Sequence, residues 1–293
     1  MKGLIKKIHN VDFELTYRCN SCCKHCYNPT HKRTRELDTK KIIGITKEIK
    51  DIGFKEIHYN GGEPLLRKDI YDILGYSSDI GLHTVLETNA TYLTSPEKIN
   101  LKGLTVRASI DGSEKVHNYI RCTNNLVNSY RLSLENLAKT KAIGIPVQIT
   151  GSINSLNHDS IYQMASEINE YHLDDIRLRL TMPTGFAIKN WGELEMSKNE
   201  LLEVIRQVEC IKEKFSSIHL NDASLKRGAP KFEPKFFIDP KGFVKPYPFI
   251  EYFAGDLNKE SVSSILEKIP SFKLPVPEEI RMIDYLKNLG MVK

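Results

Sequence analysis

Val11-Asp-Phe-Glu-Leu-Thr16-Tyr17-Arg18-Cys19-Asn20-Ser21-Cys22-Cys23-Lys24-His25-Cys26-Tyr27 passes from a strand-like run into a loop holding four of the chain's six cysteines. A strand that empties into a chemically loaded loop fits a parallel α/β fold, where ligands gather at the carboxyl ends of the strands. The pattern recurs downstream. Lys55–Tyr59 ends at Asn60-Gly61-Gly62, His83–Thr88 at Asn89 and Thr105–Ile110 at Asp111-Gly112. Pro146–Ile153 ends at Asn154 and Ile176–Leu180 at Thr181. Between these runs, Asp38–Asp51, Ile70–Ser78, Leu126–Ile143 and His158–Tyr171 have helical spacing. In the first, Ile42, Ile43, Ile45 and Ile49 form an apolar side and Gly53 ends the helix. Six strands with helix-length crossovers predict a parallel sheet with right-handed connections. Six units fall short of a closed barrel. The expected fold is α/β, an open partial (β/α)6 barrel, with a doubly wound sheet as the alternative the pattern leaves open.

After Gly185 the rhythm changes. Ser197–Phe215 reads as a long helix, with Ser197 and Glu200 at capping-box spacing. Phe236–Val244 reads as a hairpin around Asp239-Pro240-Lys241-Gly242, Ser261–Lys268 as a short helix and Pro277–Leu289 as a last helical stretch. The chain is expected to divide into a partial barrel over 1–190 and a small α+β C-terminal extension over 191–293.

Composition limits the choices further. Of 293 residues, 40% are hydrophobic and 27% charged, as in globular proteins, and no apolar run reaches the length of a membrane span. The basic start Met1–Lys7 is followed by His9, Asn10 and Asp12, where a signal peptide needs an apolar stretch. A cytoplasmic protein with no membrane partner is expected. The net charge is +5, and the basic run from His31 to Lys41 reads as a solvated loop entering a helix. It lacks the interleaved aromatics of a nucleic-acid face, so no nucleic-acid partner is expected. The modest positive field suits an anionic substrate or acidic peptide.

Cys122 and Cys210 stand alone in the sequence, and Cys19, Cys22, Cys23 and Cys26 crowd one loop. A disulfide framework spreads its cysteines to close loops, whereas crowded thiols suit a metal. Zinc usually takes a second Cys pair far downstream, and none exists here. Cys19, Cys23 and Cys26 give the spacing Cys-x3-Cys-x2-Cys. Three thiolates on a 4Fe–4S cubane leave one iron open, and an open position signals catalysis. Cys22 then reads as a spare small residue.

This spacing, set in Glu14-Leu-Thr-Tyr-Arg-Cys19-Asn and Cys23-Lys-His-Cys26-Tyr27, resembles the radical S-adenosylmethionine (radical SAM) superfamily. It is similar in particular to the branch with a C-terminal SPASM or twitch extension. The resemblance implies one 4Fe–4S cluster on Cys19, Cys23 and Cys26. It also implies reductive cleavage of S-adenosylmethionine to a 5′-deoxyadenosyl radical that takes a hydrogen from substrate. By the same resemblance, Gly61, Gly62, Glu63 and Pro64 meet the methionine amino group, and Asn89 and Ser109 hold the carboxylate and ribose. His25 lies near the adenine. Arg179, which alternation places on the same side as Arg177, reaches S-adenosylmethionine or an anionic substrate group. Asp111 reads as a turn residue or helix cap, and His117 and Arg121 divide between structural and functional readings. Cys210 reads as a buried small residue, with hydrogen-atom donation as the sharper alternative.

The C-terminal segment departs from the SPASM pattern. Tyr247 stands where the first auxiliary-cluster cysteine is expected, and no cysteine follows Cys210. A single cluster is therefore expected. The implied work is modification of a ribosomally made peptide, with a radical step in small-molecule or cofactor biosynthesis as the alternative. A low-potential electron donor such as flavodoxin or ferredoxin is the implied partner. A non-catalytic metal-binding protein is the reading from a different class.

Overall fold

The computed structural model describes residues 8–28, 30, 34–99, 101–123, 128–222, 225, 235–246 and 252–269. Tyr247 and the helix expected over Pro277–Leu289 lie outside the described residues.

Strands β1 (Asn10–Thr16), β2 (Glu56–Gly61), β3 (His83–Thr88), β4 (Leu104–Ser109), β5 (Val147–Ile153) and β6 (Asp175–Leu180) fall within two residues of the sequence expectation. Each pairs in parallel with the next. Helix α1 (Thr39–Ile52) lies between β1 and β2, and α2 (Ile70–Asp79) between β2 and β3. Helices α3 (Glu114–Arg121) and α4 (Ser129–Ala142) lie between β4 and β5, and α5 (Ile161–Glu170) between β5 and β6. The strands run in sequence order across the sheet, without the reversal of a doubly wound fold.

Local chemistry sets these boundaries. Asp38 caps α1 by accepting from the Lys41 N–H at 2.8 Å, and Gly53 ends it at φ 111°, a conformation open to glycine. Ile42, Ile45 and Ile49 are buried as expected, but Ile43 sits beside that stripe and is only half-buried.

The sheet extends beyond the six expected units. Two short helices, α6 (Phe186–Lys189) and α7 (Trp191–Leu194), lead to α8 (Lys198–Lys214), which starts with the expected Ser197–Glu200 capping box. Strand β7 (His219–Asn221) then adds in parallel to β6, and β8 (Phe236–Ile238) adds in parallel to the opposite edge, on β1. β9 (Phe243–Lys245) and β10 (Gly255–Asp256) follow as antiparallel edge strands before α9 (Val262–Lys268). The residues after 190 thus build part of the same ten-stranded sheet. No pairing closes it into a barrel among the described residues. The hairpin expected over Phe236–Val244 is present as β8 and β9, whereas the three-residue β7 carries too little alternation to be read from sequence.

Parallel strands buried on both faces usually read as unbroken apolar runs. Here they alternate. Val11, Phe13, Leu15, Ile57, Tyr59, Leu86, Val106, Ile149, Ile176 and Leu178 are buried on one face, within the main hydrophobic core. The strand register places Asp12, Glu14, Glu56, His58, Asn60, Glu87, Arg107, Thr150 and Arg177 on the other. This sheet has an apolar outer wall and a polar inner wall.

Candidate active site

The loops leaving β1, β2 and β3 form one hydrogen-bonded unit. Gly61 has φ 127°, and a β-carbon there would lie 2.4 Å from the Thr16 carbonyl oxygen. A β-carbon on Gly62 would lie 2.1 Å from the Arg18 carbonyl oxygen. The glycines are therefore required where the second loop meets the root of the cysteine loop, where Gly62 N donates to Thr16 O (2.7 Å) and Glu63 N to Arg18 O (2.8 Å). Pro64, buried, opens a single 3₁₀ turn.

The Glu63 carboxylate is fully buried and accepts from Thr88 Oγ1 (2.7 Å), Asn89 N (2.8 Å) and Leu65 N (3.1 Å). Burial raises its pKa, and these donors oppose the shift. Asn89 in turn donates from Nδ2 to Asn20 Oδ1 at 2.8 Å, between the cysteines. Glu63 and Asn89 thus sit together against the thiol loop.

Cys23 is buried, Cys19 and Cys26 are half-buried, and none is in a disulfide. Burial pushes the Cys19 thiol up to about 12, with the neighbouring Cys23 adding to the shift, and raises Cys23 and Cys26 as well. Arg121 acts against burial, with Nη1 at 3.9 Å from Cys23 Sγ. A bound metal inverts this balance, because its ligands are thiolates. Two further contacts clamp the loop. Phe186 N donates to Cys26 O at 2.8 Å, and a β-carbon on Gly185 would lie 2.1 Å from Tyr27 O.

Asp111 corrects the sequence expectation, being neither turn residue nor cap. It is fully buried and accepts from Arg121 Nε at 2.5 Å and Ser152 N at 2.7 Å. His25 Nε2 lies 3.3 Å from the same carboxylate. Burial alone would raise the Asp111 pKa, but Arg121 leads the charges and donors that hold it below its ordinary value. His117 Nδ1 accepts from Asp111 N at 3.2 Å, so His117 and Arg121 both join the network. Burial pushes His25 down to about 4, and its Nδ1 is buried with no hydrogen-bond partner.

The remaining expected residues sit on the inner wall. Ser109 is half-buried at the end of β4, beside Thr150, whose hydroxyl is buried without a partner. Arg179 is exposed at the mouth and paired in register with Ser152, whereas Arg177, one level deeper beside Thr150, is half-buried. Cys210 also departs from expectation. It is exposed on α8, opposite the stripe of Val204, Val208 and Ile211.

Sequence reading missed most of the inner wall. Glu14 is buried, Oε1 is unpartnered, and the carboxyl hydrogen-bonds to the Tyr27 side chain. Burial raises its pKa to about 8. Asn60, its register partner on β2, has a buried, unpartnered Oδ1. Deeper, His58 lies 2.6 Å from Glu56 and 3.3 Å from Asp12, and Arg107 donates to Glu87 at 2.8 Å and Gln148 at 3.0 Å. The period-two alternation of β1, β2 and β4 was the available signal.

Among the described residues, no three His, Cys, Asp or Glu side chains form a site for a single metal ion. The donor set suits a cluster better, since its thiolates bind separate irons. Three unlinked thiols on one loop, Arg121 beside Cys23 and the orphaned Nδ1 of His25 fit an iron–sulfur group with a small-molecule ligand.

The chain is 28% identical over 277 residues to a PqqA peptide cyclase of Bradyrhizobium diazoefficiens, covering 87% of this chain and 70% of that one. It spans 55% of the length of similar PqqA peptide cyclases from Xanthomonas. It is 24% identical over 309 residues to an AdoMet-dependent heme synthase of Oleidesulfovibrio alaskensis, covering 92% of this chain and 77% of the relative. The fold matches Streptococcus suis SuiB bound to the precursor peptide SuiA, with TM-score 0.74 and 13% identity, over 93% of this chain and 70% of that one. The Radical SAM superfamily model matches residues 13–168, the stretch from β1 through α5 that carries the thiol loop, Glu63, Asn89 and Asp111. With more than half its length inside that match, the chain belongs to the radical SAM superfamily, whose members use an iron–sulfur cluster and S-adenosylmethionine.

Proposed function

We propose that this chain is a radical SAM enzyme that modifies a peptide. It would use one 4Fe–4S cluster held by Cys19, Cys23 and Cys26. The observation that carries the reading is the joining of the thiol loop to Glu63 and Asn89 at the mouth of a polar inner wall. When bound, the cluster and S-adenosylmethionine supply a 5′-deoxyadenosyl radical.

The chain's own residues divide the remaining work. Arg121 offsets thiolate charge at Cys23. Glu63 has three donors on two oxygens, which leaves acceptor capacity for an ammonium beside Gly61, Gly62 and Pro64. Asn89 and Ser109 are assigned to the carboxylate and ribose, His25 Nδ1 to the adenine edge and Arg179 to an anionic group at the mouth. The inner wall around Glu14, Asn60 and Arg177 receives the substrate. Residues 1–190 form the catalytic unit and 191–293 the extension that completes the substrate chamber.

Similarity to a PqqA peptide cyclase over 87% of the chain favours a peptide substrate. Similarity to an AdoMet-dependent heme synthase over 92% favours a second reading, a radical step on a small molecule. A low-potential flavodoxin or ferredoxin in the cytoplasm would supply the electron, with no nucleic-acid or membrane partner. No helix among the described residues is long and apolar enough to cross a membrane.

The test is anaerobic reconstitution with iron and sulfide, then dithionite, S-adenosylmethionine and a short peptide encoded beside the gene. The expected result is 5′-deoxyadenosine together with a mass change in the peptide. Turnover of a porphyrin precursor with an unchanged peptide would favour the second reading. Absence of 5′-deoxyadenosine under every condition would reject both.

A further inference from the structure

Cys22 and Cys122 stay outside the triad, yet the fold brings them together. Residues 21–24 lie against the last turn of α3 and the two residues that follow it. Ser21 bridges Thr123, with their hydroxyls 2.9 Å apart, and Lys24 N donates to Ile120 O at 3.0 Å. Cys22 N donates to Cys122 O at 3.1 Å. The Cys22 thiol hydrogen-bonds to the Cys122 side chain and donates to the Cys122 carbonyl at 3.2 Å. Both residues are exposed.

We propose that Cys22 and Cys122 are a dithiol modification site, which forms a reversible disulfide that staples the thiol loop to the end of α3. The oxidant is a low-molecular-weight disulfide such as oxidised glutathione. One protein thiolate attacks it, forms a mixed disulfide and expels one glutathione thiolate. The second protein thiolate attacks the protein-side sulfur and expels the other. Two electrons pass from the protein thiols to the reagent, and their two protons go to the released glutathione. The consequence is local. Arg121, next to Cys122, is the residue that reaches Cys23 Sγ at 3.9 Å, so the bond fixes the segment that carries it. Reduction by excess thiol releases the staple.

The site is independent of the reaction catalysed. The test treats the anaerobic holoprotein with oxidised glutathione, alkylates the remaining thiols and maps the peptides by mass spectrometry. The expected result is loss of two free thiols to a Cys22–Cys122 cross-linked peptide, reversed by dithiothreitol. Cys210, also exposed, serves as the internal control and is expected to take glutathione instead. Cys22→Ser and Cys122→Ser variants are each expected to lose the cross-link and leave the other cysteine glutathionylated, with circular dichroism unchanged. Separate glutathione adducts on Cys22 and Cys122 in the unaltered protein would overturn the proposal. So would a cross-link from Cys22 to Cys19, Cys23 or Cys26, or two unreacted thiols while Cys210 reacts.

Discussion

The two faces of the same strands obey different rules. On the outer wall Phe13, Ile57, Tyr59 and Leu86 are fully buried against the helices, and the one hydroxyl among them, on Tyr59, is hydrogen-bonded to Thr46 and Ser77. Among the described strand residues the outer face holds one buried polar atom without a partner, Thr84 Oγ1, whereas on the inner wall, one residue along each strand, Glu14, Asn60 and Thr150 hold three. Unpartnered buried polar atoms cost about 1–3 kcal/mol each, so the three on the inner wall do not stabilise the fold. The outer wall stabilises the fold, and the inner wall, with its rim of loops, is the surface that the proposed function assigns to binding and chemistry.

The sharpest way to separate the walls is at the rim. Cys19→Ala, Cys23→Ala and Cys26→Ala are each expected to reduce 5′-deoxyadenosine formation to background and to lower bound iron, while circular dichroism keeps the native helix and strand content. The outer wall is expected to give the opposite pattern. Phe13→Ala should lower unfolding stability by about 3–5 kcal/mol, measured in urea, while activity per folded molecule is retained.

Glycine substitutions sharpen the contrast at smaller scale. Gly62→Ala drives a β-carbon to 2.1 Å from the Arg18 carbonyl oxygen and is expected to cost about 1–3 kcal/mol together with cluster retention. Gly44→Ala, in α1 with nothing within 4 Å of the added carbon, is expected to stabilise by about 0.5–1 kcal/mol. Thermal melts and iron content on both variants distinguish a packing glycine of the site from an ordinary helical one.

The inner wall also sets a pH dependence. Burial opposes charge on His58, but Asp12, Glu56 and Glu87 outweigh it and raise the pKa to about 9. The folded value lies above the unfolded one, about 6.5. The stabilisation is therefore complete below pH 6.5 and is lost as pH rises through 9. A fall of about 1–2 kcal/mol is expected between pH 6.5 and 9.5. His58→Gln should flatten that part of the profile, and an unchanged slope would show that the inner network does not hold the charged imidazole.

Most of the barrel and the rim was legible because short-range rules decide them. Alternation and turn residues mark β1–β6, and Ser197–Glu200 announces α8. What stayed hidden depends on distant partners. Asp111 looks like a turn residue until Arg121, His25 and Ser152 converge on it. β7 is three residues long and gains its place from β6, and the expected β8–β9 hairpin gains its position in the sheet from β1. Cys210 was expected to be buried because of its residue type, but the apolar stripe of its helix runs on another side. The need for glycine at 62 also comes from a distant partner, since a β-carbon there would meet the Arg18 carbonyl oxygen. The roles of His25, Ser109 and Arg179 require the ligand itself.

In the proposed function, Cys19, Cys23 and Cys26 leave one iron of a 4Fe–4S cluster open to S-adenosylmethionine. Electron paramagnetic resonance of the dithionite-reduced, reconstituted protein tests it most directly, with spectra recorded before and after adding S-adenosylmethionine. The expected result is a reduced-cluster signal that changes on addition and stays unchanged with S-adenosylmethionine in a Glu63→Ala, Asn89→Ala double variant that retains its iron. A cluster signal indifferent to S-adenosylmethionine in the unaltered protein, or zinc in place of iron, would contradict it.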